Sequence, residues 1–164
     1  MLRRMTAADS ADVARIFKEG WPFGPTPSDN QIASKLQKWL VAEQYADPYL
    51  EGGMAVTKDA GFMSTLIGEH QGAIVGLIRW QLSGYTCVVQ SMVVDPNRRE
   101  QGFYKLMRDE GIQYMVDLGL TSIEFKVMPD VIALEKDIDA GLFEMTYEFR
   151  SGKKMARVFN EHMN

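Results

Sequence analysis

Cysteine is almost missing from this chain: Cys87 is the single one in 164 residues. That excludes an internal disulfide and any zinc site built on several thiolates. Histidine is nearly as scarce. His70 and His162 stand alone, with no Asp, Glu or Cys at metal-ligand spacing, so both read as surface residues and no metal is expected. Long apolar runs are lacking too, none nearing the roughly 20 residues that span a bilayer. Arg3 and Arg4 are followed by no apolar stretch like that of a secretory leader. A cytoplasmic protein without a membrane partner is the expectation. Positive charge is not in excess: 18 Lys and Arg face 22 Asp and Glu, a net charge of −4, with no basic stripe for nucleic acid. No strand is followed by Gly-x-Gly-x-x-Gly, which argues against a dinucleotide oxidoreductase.

What is present is ordinary for a folded domain. Hydrophobic residues make up 46% and charged residues 24% of the chain, and no repeat, linker or low-complexity stretch divides it. One domain over residues 1–164 is expected, large enough to bury a core.

Punctuation and periodicity give the elements. Leu2 to Met5 reads as a strand, and Asp9 or Ser10 caps a short helix with Val13, Ile16 and Phe17 on its apolar face. Residues Gly20 to Pro27, with three prolines and two glycines, break the helix. Trp21 and Phe23 make this loop a candidate recognition element or a plug for the core edge. Ser28 or Asp29 then caps a second helix to about Ala46, with Ile32, Leu36, Trp39, Leu40 and Tyr45 at helical spacing, ended by a turn at Asp47-Pro48. Phe62–Glu69 and Ala73–Leu82 flank a hairpin turn, and Tyr85–Val94 follows as a third strand. Its Cys87–Val89 and Met92–Val94 stretches are continuously apolar, as in a strand covered on both faces. A helix runs from Phe103, with Leu106, Met107, Tyr114, Met115 and Leu118 on its core side, and stops at Gly119. Thr121–Met128 alternates as a strand, Asp130–Ala140 is a weaker helix, and Phe143–Phe149 with Met155–His162 close the chain as two strands. Met54, Met63 and Met145 are candidates to line an adaptable apolar pocket, and Cys87 reads as a small core residue.

The most informative stretch is Met92-Val93-Val94-Asp95-Pro96-Asn97-Arg98-Arg99-Glu100-Gln101-Gly102-Phe103-Tyr104. An apolar strand, a polar turn with one glycine and a helix start follow one another. Helix starts leave unpaired N–H donors and partial positive charge, a setting suited to phosphate. Arg99 to Tyr104 resembles the Gln/Arg-x-x-Gly-x-Gly/Ala loop of the GNAT superfamily of N-acetyltransferases, in both sequence and distance from the strand end. Tyr104 departs from it, standing where the family usually has Gly or Ala.

The resemblance implies an α/β (α+β) GNAT fold, a mixed, mostly antiparallel central sheet with helices on both faces. It implies acetyl-CoA as co-substrate and a small-molecule or peptide amine as acceptor; a homodimer is compatible with it. Met92, Val93 and Val94 would pair with the pantetheine arm. The N–H groups of Glu100, Gln101, Gly102, Phe103 and Tyr104 would hold the pyrophosphate, Arg99 would add charge, and Gly102 would permit close backbone approach. Val93 or Val94 would offer an N–H to the developing oxyanion.

The family's acid–base residues are harder to place. Its second motif, approximately Asn-x-x-Ala-x-x-x-Tyr-x-x-x-Gly-Phe, keeps only Ala133 and Gly141 here; Asp130, Asp137 and Leu142 replace the rest. An ionised Asp137 cannot donate a proton, so the usual acid is missing. Val88 stands where histone-type relatives carry a glutamate base, and Glu124 on the next strand is the candidate base, against the plain reading of an exposed strand glutamate. Beside an acetyltransferase, two alternatives remain: a catalytically idle binding module, and a transferase of larger acyl groups.

Overall fold

The computed structural model describes residues 1–20, 25–52, 56–127, 143–150 and 153–160, with backbone alone from residue 125 onward. The loop residues Trp21 and Phe23, Met54, the weaker helix with Asp130, Ala133, Asp137, Gly141 and Leu142, and His162 lie outside the described residues.

Seven strands form one sheet in chain order: β1 (Leu2–Arg4), β2 (Gly61–His70), β3 (Ala73–Ser83), β4 (Thr86–Val94), β5 (Ser122–Val127), β6 (Phe143–Arg150) and β7 (Lys153–Asn160). All neighbours are antiparallel except β4 and β5. The connections explain this. Gln71 and Gly72, both at positive φ, close the β2–β3 turn, and Gly84 at φ 65 helps close β3–β4. A parallel neighbour requires a crossover, which the helix of Phe103–Asp117 provides.

The helix α1 (Ser10–Glu19) and the first part of α2 (Asp29–Leu50) cover one face and α3 (Phe103–Asp117) the other, where Ala46, Tyr49 and Leu50 from the end of α2 join the α3 core. Leu66, Ile78, Trp80, Cys87, Val89, Met92, Val94 and Ile123 pack with α3 residues Tyr104, Met107 and Met115. Ile67 and Leu77 pack with Val13, Ile16, Ile32, Leu36 and Trp39. Gly68 and Gly76, register partners on β2 and β3, let α3 sit close: a Cβ on Gly76 would lie 2.8 Å from Met107 Sδ.

Three elements depart from expectation. Asp9 does not cap α1 with its side chain; its carboxylate accepts two bonds from Arg3, both 2.8 Å, and one from the Thr6 N–H. The second helix runs past Ala46 through Pro48 to Leu50. Proline there removes one bond in the last turn, while Tyr49 stacks on Phe62 at 5.1 Å and Glu51 N–H still reaches the Asp47 carbonyl at 2.8 Å. Strand β4 is not covered on both faces: Cys87, Val89, Met92 and Val94 are buried, whereas Val88, Ser91 and Val93 are only half-buried. The helix start at Ser28 meets expectation, with reciprocal bonds between Ser28 and Gln31.

Candidate functional site

The site is built where β4 leaves β5. Their pairing covers Thr86↔Ser122 to Val89↔Phe125 and goes no further. Just beyond it, Gln90 is an extra residue: Arg79 pairs with Ser91 but Trp80 pairs with Val89. Such a bulge bends and twists its strand. From Ser91 to Val94, β4 is bonded to β3 on one side and to no strand on the other among the described residues.

The direction of the backbone follows from one bond. Asp95 N–H donates to the Val75 carbonyl at 2.8 Å, and antiparallel ladders alternate. Val93 therefore also turns its N–H to β3, while Met92 and Val94 turn theirs into the gap. Of the two N–H groups expected as donors, that of Val94 faces the gap and that of Val93 does not; the Met92 N–H faces it as well. Val93 instead places its side chain toward α1, 3.5 Å from where a Cβ on Gly20 would stand.

At the strand end, Asp95 opens a short 3₁₀ turn over Pro96–Arg98, accepting from the Asn97 N–H at 3.0 Å. Its carboxylate, buried, also takes two bonds from Arg15 of α1, at 2.7 and 3.1 Å. The Arg15 guanidinium holds the Asp95 carboxyl below the usual carboxylate range, against the opposing effect of burial and with help from the Asn97 N–H. Sequence reading missed this pair, because residues 80 apart in the chain give no local signal.

The loop then turns twice through left-handed backbone, at Glu100 (φ 63) and Gly102 (φ 82). Conformations of this kind point successive N–H groups into anion-binding concavities. Gly102 is the residue before α3, and no side chain caps that helix start. A Cβ on Gly102 would meet nothing within 4 Å, so its positive φ, not crowding by the protein, is what calls for glycine. The space beside it is open for a ligand. Gln101 is exposed, whereas Phe103 and Tyr104 are buried in the α3 core. Tyr104 thus turns its bulk away from the loop. His70 is not a free surface histidine: its ring lies 5.1 Å from Phe103, at the first turn of α3. Arg99 directs its guanidinium inward, with Nη2 3.7 Å from the position of a Gly20 Cβ and Nε buried. It thereby lies beside the end of α1.

Glu124 stands across from Val88, one pair before β4 and β5 part. Ile123 belongs to the α3 core, so alternation puts Glu124 on the opposite face, toward α1 and α2. Glu124 is half-buried. Cys87, by contrast, is fully buried, and burial pushes its thiol up, with the Glu124 charge adding to the effect. Among the described residues no three His, Cys, Asp or Glu side chains gather to hold a metal, and no helix is long and apolar enough to cross a membrane.

The fold is shared with known proteins. The family model described as acetyltransferase (GNAT) family matches residues 30–135. A search of curated proteins found no match. Among solved structures, the PaiA N-acetyltransferase of Thermoplasma acidophilum, in complex with coenzyme A, is 12% identical with a TM-score of 0.58, over 98% of both chains. The ribosomal-protein-alanine N-acetyltransferase of Brucella melitensis is 14% identical at TM-score 0.58, covering 97% of this chain and 96% of that one. A phosphinothricin acetyltransferase of Sinorhizobium meliloti, in complex with AcCoA, is 17% identical at TM-score 0.55, covering 98% and 89%. At these identities the structures speak for the fold, and the family model for the lineage. A parted β4–β5 pair, a glycine loop at the strand end and a match over residues 30–135 together place this chain in the acetyltransferase (GNAT) family, among the N-acyltransferases.

Proposed function

We propose that this chain transfers acetyl from acetyl-CoA to a primary amine of a small molecule or peptide. The observation that carries the reading is the gap beyond Val89. There the edge at Met92 and Val94, bonded to no second strand among the described residues, leads through the Pro96–Arg98 turn into the Arg99–Tyr104 loop. An extended pantetheine arm would be held as an added strand on that edge. The loop and helix-start N–H groups from Glu100 to Tyr104 would hold the pyrophosphate, with the Arg15–Asp95 pair fixing the loop. The open space beside Gly102 fits such a ligand.

The thioester supplies an activated acetyl group: as the C–N bond forms the C–S bond breaks, sulfur leaves with the electron pair, and the amine gives up a proton. The chain's own part is to supply a neutral amine and to stabilise the oxyanion. Val94 or Met92 N–H, aimed into the gap, suits the oxyanion. Glu124 suits the proton, directly or through water, because it lies one strand over from Val88, one pair before β4 and β5 part, and is only half-buried. No acid for the departing sulfur is assigned.

Calorimetry with acetyl-CoA and thiol release over a panel of amines test the proposal. Binding should raise stability by about 2.7 kcal/mol at 100 times the dissociation constant, and at least one amine should release thiol. Absence of binding would overturn the cofactor reading. Binding without transfer to any amine or peptide would make the chain an idle module of its family.

A further inference from the structure

Gln90, the extra residue of the β4 bulge, has no assigned task. Bulges re-aim side chains and often stand next to active sites. Here the Gln90 Nε2 donates to Gln81 Oε1 of β3 at 2.8 Å, and both residues are exposed. Trp80 and Leu82, on either side of Gln81, are buried in the α3 core. Gln81 therefore takes the opposite face, and its bond brings the Gln90 amide there too. Gln81 is the register partner of Val88, and Val88 of Glu124, so the three form one row across β3, β4 and β5. Glu124 shares the face of Gln81, because its neighbour Ile123 belongs to the α3 core. Val88 and Glu124 are half-buried. The row lies one pair before β4 and β5 part, and the Met92 N–H that faces the gap follows two residues after Gln90.

A glutamine side chain has two donors on its nitrogen and a carbonyl oxygen with two lone pairs. The bond between Gln81 and Gln90 uses one Gln90 donor and one Gln81 lone pair. Among the described residues no other hydrogen bond engages either side chain. Both Gln81 N–H donors and the Gln90 carbonyl oxygen stay available, and a donor fixed beside an acceptor matches the C=O and N–H of peptide bonds. Charge in the row is the single carboxylate of Glu124. Arg79, on the same face of β3, turns its guanidinium to Trp39 and Met63 and offers nothing to an anionic acceptor. We infer that Gln81 and Gln90 determine acceptor specificity and that the acceptor is the amino terminus of a peptide. Gln81 donates to a carbonyl, Gln90 Oε1 accepts an N–H, and the amino group lies toward Glu124. Two strand spacings, about 10 Å, separate the backbone at Gln81 from that at Glu124. That is the length of roughly three extended residues, so the first two peptide bonds fall within the span. This inference rests on the acetyl-transfer reading and deepens it by naming the acceptor class.

The test uses the whole chain with acetyl-CoA and reads thiol release with three acceptors. They are a short peptide amide, its analogue with ester links in place of the peptide bonds, and a simple amine of matched pKa without a peptide bond. For the best peptide, kcat/KM should exceed that of its ester analogue by about tenfold, the share of one neutral hydrogen bond. The simple amine should be poorer still. Gln90→Met, similar in shape but without the carbonyl, should bring peptide and ester to equal use by raising KM for the peptide. Gln81→Met should weaken peptide and ester alike, since both carry the carbonyl, and the simple amine less. Both positions are exposed, so neither substitution should disturb the fold, and acetyl-CoA affinity by calorimetry should not move. Equal kcat/KM for all three acceptors in the wild type, or a Gln90→Met loss shared equally by peptide and ester, would overturn the inference while transfer itself stands. No binding of acetyl-CoA, or no thiol release with any amine, would overturn the transfer reading and the acceptor assignment with it.

Discussion

Glu124 and Cys87 are neighbours on adjacent parallel strands, yet the sheet gives them opposite chemistry. Cys87 points into the α3 core, where burial and the Glu124 charge disfavour its thiolate. It should therefore resist alkylation in the folded protein at pH 8 and react once denaturant is added; rapid labelling under native conditions would contradict its burial. Glu124 lies on the opposite face and is half-buried. If it removes the amine proton, Glu124→Gln should lower kcat by roughly 100-fold, and the deficit should shrink at high pH, where more of the acceptor is already neutral. Full activity across the pH range would assign proton removal to solvent or another group. Sequence alone showed both residue types and their alternation. It could not show that Glu124 lies beside Val88, because register between parallel strands is set by the α3 crossover and not by local pattern.

At the scale of elements, what was legible followed from local chemistry. Gln71-Gly72 marked a hairpin, Ser28 or Asp29 a helix start, and Gly119 at φ 87 a helix end. What was not legible depended on partners far along the chain. The Gln90 bulge places Val89 and Met92, three residues apart, on the same buried face, so simple alternation misreads β4. Pro48 reads as a stop, yet Tyr49 packing on Phe62 carries α2 past it. The loop before α3 was legible in composition, but its two left-handed residues were not. Those two residues give the loop its test. Gly102→Val must strain the φ of 82°, costing about 1–2 kcal/mol, and would fill the open space beside the helix start. Acetyl-CoA affinity should fall by roughly tenfold or more, well beyond the strain itself. Lys105→Ala, on the same exposed turn, should change it little. Equal affinities for the two folded variants would remove the loop from the cofactor site.

Over the whole molecule, three carboxylates tie the layers together where the core cannot. Arg3 of β1 holds Asp9 at the head of α1, Glu43 of α2 gathers Arg4, Ser64 and Thr65, and Arg15 of α1 holds Asp95 beneath the loop. Two of them carry a pH dependence with a definite sign. Arg3 is the main cause that holds the Asp9 carboxyl below its usual range, and Arg15 does so for Asp95, in each case against burial. A carboxyl with a depressed folded pKa gives its full stabilisation above the unfolded value, about 4. That stabilisation drains away as pH falls through the folded value, because the unfolded chain takes up the proton first. Stability should therefore be flat near neutral pH and decline below about 4. Asp95→Asn isolates one contributor. Arg15 is 38% exposed, which limits the pair, so the variant should lose about 2 kcal/mol at pH 7. Denaturant titrations of both proteins from pH 7 down to about 3 should then converge, since acid removes from the wild type the charge that the variant never had. Because Asp95 also anchors the turn into the Arg99–Tyr104 loop, acetyl-CoA affinity should weaken over the same acid range in the wild type and be weaker, with a shallower pH slope, in Asp95→Asn. A stability gap that stays constant to pH 3 would mean that Asp95 acts through shape and hydrogen bonding alone, and the charge pair with Arg15 would lose its place as the link between fold and site.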